Sequence, residues 1–224
     1  MDLIDRNNLE NLTKNDNHSF MSNEMKEFAK GLKIKTIDDM VYFDKAYYTY
    51  FRSPNSDEEK ESIDFQKFKL DAKEIFERKV YGGCSDRGIS IAPILRYLGI
   101  PTVYLEAAKI EWIEKIQEDI KKVNSMAGHI FLEIYLDNKW YLYDPTFHLV
   151  YDNYDFNNSC LPRNYVAFSK GMNQKSLGVI DVKSEQKLAY DSLKDYDLST
   201  YKDPEYKEIN VFYKDVLKEK QNRQ

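Results

Sequence analysis

The chain has 224 residues, with 33 basic against 38 acidic side chains and a net charge of -5, a balance that offers no general attraction to a polyanion and sets nucleic acid aside as a partner. With 42% hydrophobic and 32% charged residues and a mean hydropathy of -0.68, the composition describes a water-soluble protein large enough for one well-buried core. The opening residues lack the basic start and continuous apolar stretch of a secretory signal, and no later run approaches a membrane span, so the expected location is the cytoplasm with no membrane partner.

Residues 1–35 are rich in Asn, Asp and Lys with scattered apolar positions, which reads as a weakly ordered or peripherally docked extension. The domain proper is expected over 36–224. An aromatic-rich helix is predicted over 36–51, followed by an exposed loop over 53–62. Ile63, Phe65, Phe68, Ala72, Ile75 and Phe76 recur at helical spacing and lead to a turn at Gly82 and Gly83.

A second helix begins at Cys84. Its stripe is Ile89, Ala92, Leu95 and Leu98, and Gly99 and Pro101 stop it. Pro93 lies inside it and predicts a kink or a shortened first half. Residues 102–106 read as a strand, and Ile110, Ile113, Ile116 and Ile120 make an amphipathic helix. Residues 129–136 and 140–144 then form a hairpin around Asp137 and Asn138. Short edge strands are expected over 165–168 and 178–182. Asp203 and Pro204 signal a final helix with Ile209, Phe212 and Val216 on its buried stripe.

Two cysteines, Cys84 and Cys160, allow at most one disulfide and no four-cysteine zinc site, so reduced thiols are expected. Three dispersed histidines show no metal-ligand spacing and the acidic residues show no calcium-loop pattern, so no cofactor is expected. His18 lies in the extension, His148 reads as a loop histidine, and Cys160 reads as an exposed, oxidisable loop residue. The tyrosine-rich C-terminal region reads as packing and surface.

Thiol chemistry needs a thiolate, a base that carries a proton to the leaving group and a partner that holds the base in one tautomer. Cys84 follows two glycines at a helix start, where free N–H groups and the helix dipole lower a thiol pKa and could hold an oxyanion. Taken singly, it would be an ordinary small buried residue. The hairpin register pairs 136 with 139 and 131 with 144, so 129, 131 and 144 share one face and Asp144 lies diagonally across from His129. Pro145 favours an extended backbone at Asp144.

The blocks GlyGlyCysSerAspArgGly with IleLeuArgTyrLeuGlyIleProThrValTyr, GlyHisIlePheLeuGluIleTyr and LysTrpTyrLeuTyrAspProThr resemble the three-block pattern of the transglutaminase-like superfamily over about residues 63–147. Cys84 precedes His129 by 45 residues, and His129 precedes Asp144 by 15. The resemblance implies a papain-like α/β (α+β) core, with the cysteine helix packed on an antiparallel sheet that carries His and Asp. It also implies Cys84 as nucleophile, His129 as base and Asp144 as orienting residue. The implied activity is a cysteine-dependent amide hydrolase or acyl transferase acting on protein or peptide substrates through a thioester. Hydrolysis is favoured because water needs no dedicated acceptor pocket. The alternative is a binding or scaffold module on the same fold without turnover. Ile130 and Phe131 stand where the family usually has a small residue and Trp, which with Pro93 implies an altered substrate groove. The second oxyanion donor is left unassigned.

Overall fold

The computed structural model describes residues 5, 7–15, 19–119, 123 and 125–212. Its helices are α1 (Asn23–Lys30), α2 (Met40–Tyr50), α3 (Asp57–Phe65), α4 (Ala72–Arg78), α5 (Cys84–Tyr97), α6 (Ile110–Asp119) and α7 (Val182–Leu193). Its strands are β1 (Thr102–Lys109), β2 (Gly128–Leu136), β3 (Lys139–Asp144), β4 (Leu149–Asp152), β5 (Cys160–Leu161), β6 (Tyr165–Gly171) and β7 (Lys207–Asn210). The strands form one sheet in the order β5-β6-β1-β2-β3-β4-β7, and every neighbouring pair is antiparallel. This is an α+β fold, with helices packed on a seven-stranded antiparallel sheet.

Side chains alternate between the two sheet faces. One face presents Tyr104, Ile130, Leu132, Ile134 and Tyr143 to a core shared with α1, α2, α4 and α5. The other carries Val103, Leu105, Phe131, Leu142 and Tyr151, while α6 and α7 close a third apolar cluster around Trp112, Ile113 and Leu193. Helix α5 is the central element: its residues from Ser85 to Arg96 are all buried. Burial of Ile91, Ile94 and Leu95 there contributes about 1.5–3 kcal/mol each. Pro93 does not shorten the helix, which runs unbroken through it. Gly88 lets α5 approach β2, since a Cβ there would lie 2.4 Å from Ile130 Cγ2.

The hairpin forms in the expected register, from Leu132 opposite Tyr143 to Leu136 opposite Lys139. Asp137 and Asn138 both take positive φ, at 50° and 61°, the backbone of a two-residue turn whose twist matches the flanking strands. Within the segment read as an extension, α1 places Met25 and Ala29 fully inside the core.

Four expectations change. The loop expected over 53–62 becomes helical at Asp57, because Ser56 accepts the Glu59 N–H at 3.2 Å and three carboxylates occupy the first turn. The single helix expected over 63–76 is broken, because Phe68 takes a φ of 64° and Asp71 with Glu74 forms a capping box that starts α4. The strand expected over 178–182 is absent: Gly178, at φ 79°, ends a short 3-10 turn, and Asp181 caps α7. The helix expected after Asp203 is instead edge strand β7, pairing Ile209 with Val150. There the unpaired edge of β4 outweighs the local cap signal. Val216 and His18 lie outside the described residues. Among the described residues, no helix is long and apolar enough to cross a membrane.

Candidate active site

Cys84 is the first residue of α5, and a close-packed loop sets its position. Gly82 donates its N–H to Asp86 Oδ2 at 2.8 Å, and the same carboxylate oxygen binds Arg78 in a half-buried ion pair. A Cβ at Gly82 would lie 2.3 Å from Ile63 Cγ2, so only glycine fits without displacing a neighbour. One residue after Asp86, Arg87 donates to the Pro145 carbonyl at 2.7 Å and stacks its guanidinium 4.2 Å from the Tyr81 ring centroid. The first turn of the cysteine helix is thereby tied to the end of the strand that carries Asp144.

His129 is buried near the start of β2. Its Nε2 lies 2.9 Å from Asp144 Oδ2, and the other oxygen of Asp144 accepts the N–H groups of Thr146 at 3.0 Å and Phe147 at 3.2 Å. Asp144 is therefore held on three sides in a fully buried position. Three aromatic rings restrict the imidazole: Tyr165 stacks on it at 5.1 Å, Phe131 meets it edge-on at 4.7 Å and Phe147 lies at 5.6 Å.

The Cys84 thiol lies near enough to the His129 ring for each group to shift the other's pKa. With Nε2 engaged by Asp144, this leaves Nδ1 to face the sulfur. Burial by itself would raise the thiol pKa, but hydrogen bonding to His129 and its positive charge bring the net shift below the ordinary value. For His129, burial would lower the pKa, yet hydrogen bonds to Asp144 and Cys84 raise it to about 9. Both shifts favour a thiolate beside an imidazolium. The structure thus brings together all three residues singled out in the sequence.

A cleft of about 180 Å³ opens at Cys84, lined by Ile63, Asp64, Lys67, Gly82 and Gly83. Lys67 Nζ lies 3.3 Å from Glu185 Oε2, and the Glu185 side chain is 3% exposed. Deeper in the protein, Glu106 is fully buried, and neither of its carboxyl oxygens has a hydrogen-bond partner among the described residues. Burial first, and then the negative charge of Glu185, push its pKa well above the carboxylate range and favour its neutral form. Sequence reading passed over Glu106, Glu185 and Lys67. The one available signal was a lone acidic residue inside the apolar run ThrValTyrLeuGluAlaAla.

Two other residues differ from expectation. Cys160 is buried at the start of β5 rather than exposed in a loop, with its sulfur 3.7 Å from the Tyr196 hydroxyl. His148 does occupy a turn, but its Nδ1 bonds Asp44 Oδ2 at 2.7 Å. Both cysteines are free thiols. Among the described residues, no group of three or more His, Cys, Asp and Glu side chains is placed to hold a metal ion.

Comparison with known proteins adds a family. Residues 26–145 match the family model described as the transglutaminase-like superfamily, a span that includes Cys84, His129 and Asp144. A crystal structure of a candidate cysteine protease from Cytophaga hutchinsonii aligns with 79% of this chain at 14% identity and a TM-score of 0.49. The chain spans about half of that protein, 51% of its length. No curated protein matches the sequence.

Proposed function

The chain belongs to the transglutaminase-like superfamily, and from that premise we propose that it is a cysteine-dependent amide hydrolase acting on protein or peptide substrates. The observation that carries the reading is the buried His129 imidazole, held by Asp144 at 2.9 Å within electrostatic reach of the Cys84 thiol at the start of α5. The Cys84 thiolate attacks the amide carbonyl, forming a C–S bond and a tetrahedral oxyanion. The backbone N–H groups at the beginning of α5, which have no intrahelical acceptor, can receive that oxyanion.

The His129 imidazolium gives its proton to the departing amine, and the C–N bond breaks to leave a thioester. Water then attacks the thioester. His129 takes the proton from the water, and the thiolate leaves as the acid product forms. Asp144 keeps Nε2 as the nitrogen that bears a proton, so Nδ1 is the one that exchanges a proton with the reacting groups. Hydrolysis is preferred to crosslinking because only water need approach the thioester. The reading is tested by incubating the protein with peptide amides and measuring released amine by mass spectrometry. Release that disappears in Cys84→Ala supports it, whereas equal release from both proteins contradicts it.

A further inference from the structure

The walls of the His129 ring carry two positive charges. Arg163 places its guanidinium 3.3 Å from the centroid of the Phe147 ring, and Phe147 lies 5.6 Å from the His129 ring. Lys109 places its ammonium 4.6 Å from the centroid of Tyr165, which stacks on His129 at 5.1 Å. The two cations belong to one constellation, since Lys109 Nζ donates to the Arg163 carbonyl at 2.8 Å. Neither makes an ion pair with a carboxylate among the described residues. Glu111, an exposed carboxylate that also bears on Tyr165, pairs with neither. Lys67, which lines the cleft at Cys84, differs because Glu185 already neutralises it.

The backbone here is also uncommon. Arg163 and Asn164 take positive φ, at 65° and 61°, in the tight connection between β5 and β6. Asn tolerates that region well, whereas Arg adopts it only at an energetic cost. An arginine with no carboxylate partner among the described residues is therefore held in a disfavoured conformation across the Phe147 ring from the base, in a chain whose net charge is -5. The cation–π contacts fix where these charges sit without cancelling them.

The chemistry of the proposed reaction determines which half of the substrate they face. His129 protonates the departing amine, so the amine half of the substrate lies against the imidazole and its aromatic walls. We infer that Arg163 and Lys109 form an anion subsite on the leaving-amine side, selecting substrates whose amine half carries a carboxylate close to the scissile bond. This inference rests on the amide-hydrolase reading, because the proton transfer from His129 defines the leaving side. The carboxylate can be the C-terminus of a peptide or an acidic side chain just after the scissile bond. Both present the same planar anion to the guanidinium and ammonium donors.

The test compares Cys84 alkylation rates by iodoacetate, which bears a carboxylate, and iodoacetamide, its neutral isostere, at low ionic strength and pH 7. Dividing one rate by the other cancels differences in thiolate content. In Arg163→Gln the iodoacetate preference should fall by about threefold, and further in Arg163→Gln/Lys109→Gln, as expected for the loss of charges that concentrate an anion at the site. Arg163→Lys, which keeps the charge, should retain most of the preference. An unchanged ratio in the double variant overturns the subsite. If the wild-type thiol reacts with neither reagent faster than it does in the unfolded chain, the hydrolase reading fails first and takes the subsite with it. Peptides paired as C-terminal acid or amide, and as Asp or Asn after the scissile bond, then locate the carboxylate. Loss on amidation assigns the terminus, loss on Asn assigns the side chain, and equal turnover of all four overturns the subsite.

Discussion

Among the described residues there are two histidine–aspartate pairs of nearly equal geometry, the buried His129 with Asp144 at 2.9 Å and the half-buried His148 with Asp44 at 2.7 Å. They differ in what surrounds them. His129 stands within electrostatic reach of a thiol at a helix start. The ring of His148 packs instead against Tyr48 at 5.3 Å and Phe212 at 4.7 Å, and the second oxygen of Asp44 accepts the Tyr143 hydroxyl at 2.8 Å. The first pair is arranged to move a proton, whereas the second pins α2 to the turn between β3 and β4. A histidine–carboxylate contact therefore says little by itself, and the third partner decides between chemistry and structure.

Replacing each histidine should separate the pairs most widely. His129→Ala should lower kcat/KM on a peptide amide by about a thousandfold or more, measured by steady-state amine release. His148→Ala should retain turnover and lose stability by about 1–2 kcal/mol in urea unfolding. Comparable losses of turnover in both variants would erase the distinction.

The aspartates give the next contrast. Asp144→Asn keeps an acceptor for the Thr146 and Phe147 N–H groups but presents an amide to Nε2 in the wrong tautomeric sense, so kcat should fall by about 10²- to 10⁴-fold with the fold intact. Asp44→Asn should instead cost about 1–3 kcal/mol of stability, because it weakens one buried and one half-buried hydrogen bond. Circular dichroism and kinetics on the same samples distinguish the two outcomes.

Titration sharpens the contrast further. Cys84 has a lowered pKa and His129 a pKa raised to about 9, so the alkylation rate should reach its plateau at a lower pH than that of an ordinary thiol and stay level up to about pH 9. Without His129, the reactive fraction should rise only at higher pH. A profile that climbs through the ordinary thiol range in the wild type would deny the ion pair.

The smallest effect concerns stability. Glu106 has a raised pKa in the folded protein, so its neutral form is favoured there while the unfolded chain ionises near its usual value. Its contribution to stability is fully present below the unfolded pKa and declines as pH rises towards the folded one, with a limiting slope of about 1.4 kcal/mol per pH unit. Glu106→Gln should flatten the dependence of stability on pH above about 4.5, the ordinary value for a glutamate carboxyl. An unchanged slope would mean that Glu106 finds a partner in solution.

Much of the candidate site was legible because short-range signals define it. The two glycines before Cys84 announce a turn into a helix, and the two-residue Asp137–Asn138 turn fixes the register that places His129 and Asp144 on one face. What sequence left hidden depends on long-range packing. Glu185 reaches the site from α7, Lys67 from the segment between α3 and α4, and Arg87 reaches the Pro145 carbonyl. Local signals also misled where an unpaired sheet edge was available. Asp203 and Pro204 look like a helix start, yet the chain pairs with β4 instead. Cys160 shows the same limit, since its polar neighbours in sequence gave no hint that the fold buries it.

The most direct measurement is the rate of Cys84 alkylation by iodoacetamide across pH 5 to 8 in wild type and His129→Ala, with peptide mass mapping to separate Cys84 from Cys160. Cys160 is buried and would label slowly for that reason alone, so the histidine variant is the informative comparison. Fast labelling of Cys84 at pH 5 to 6 that slows by about tenfold or more without His129 is the expected result for an activated thiolate. Slow labelling, the same in both well-folded proteins, would contradict the nucleophile assignment and favour a binding module on a transglutaminase-like fold.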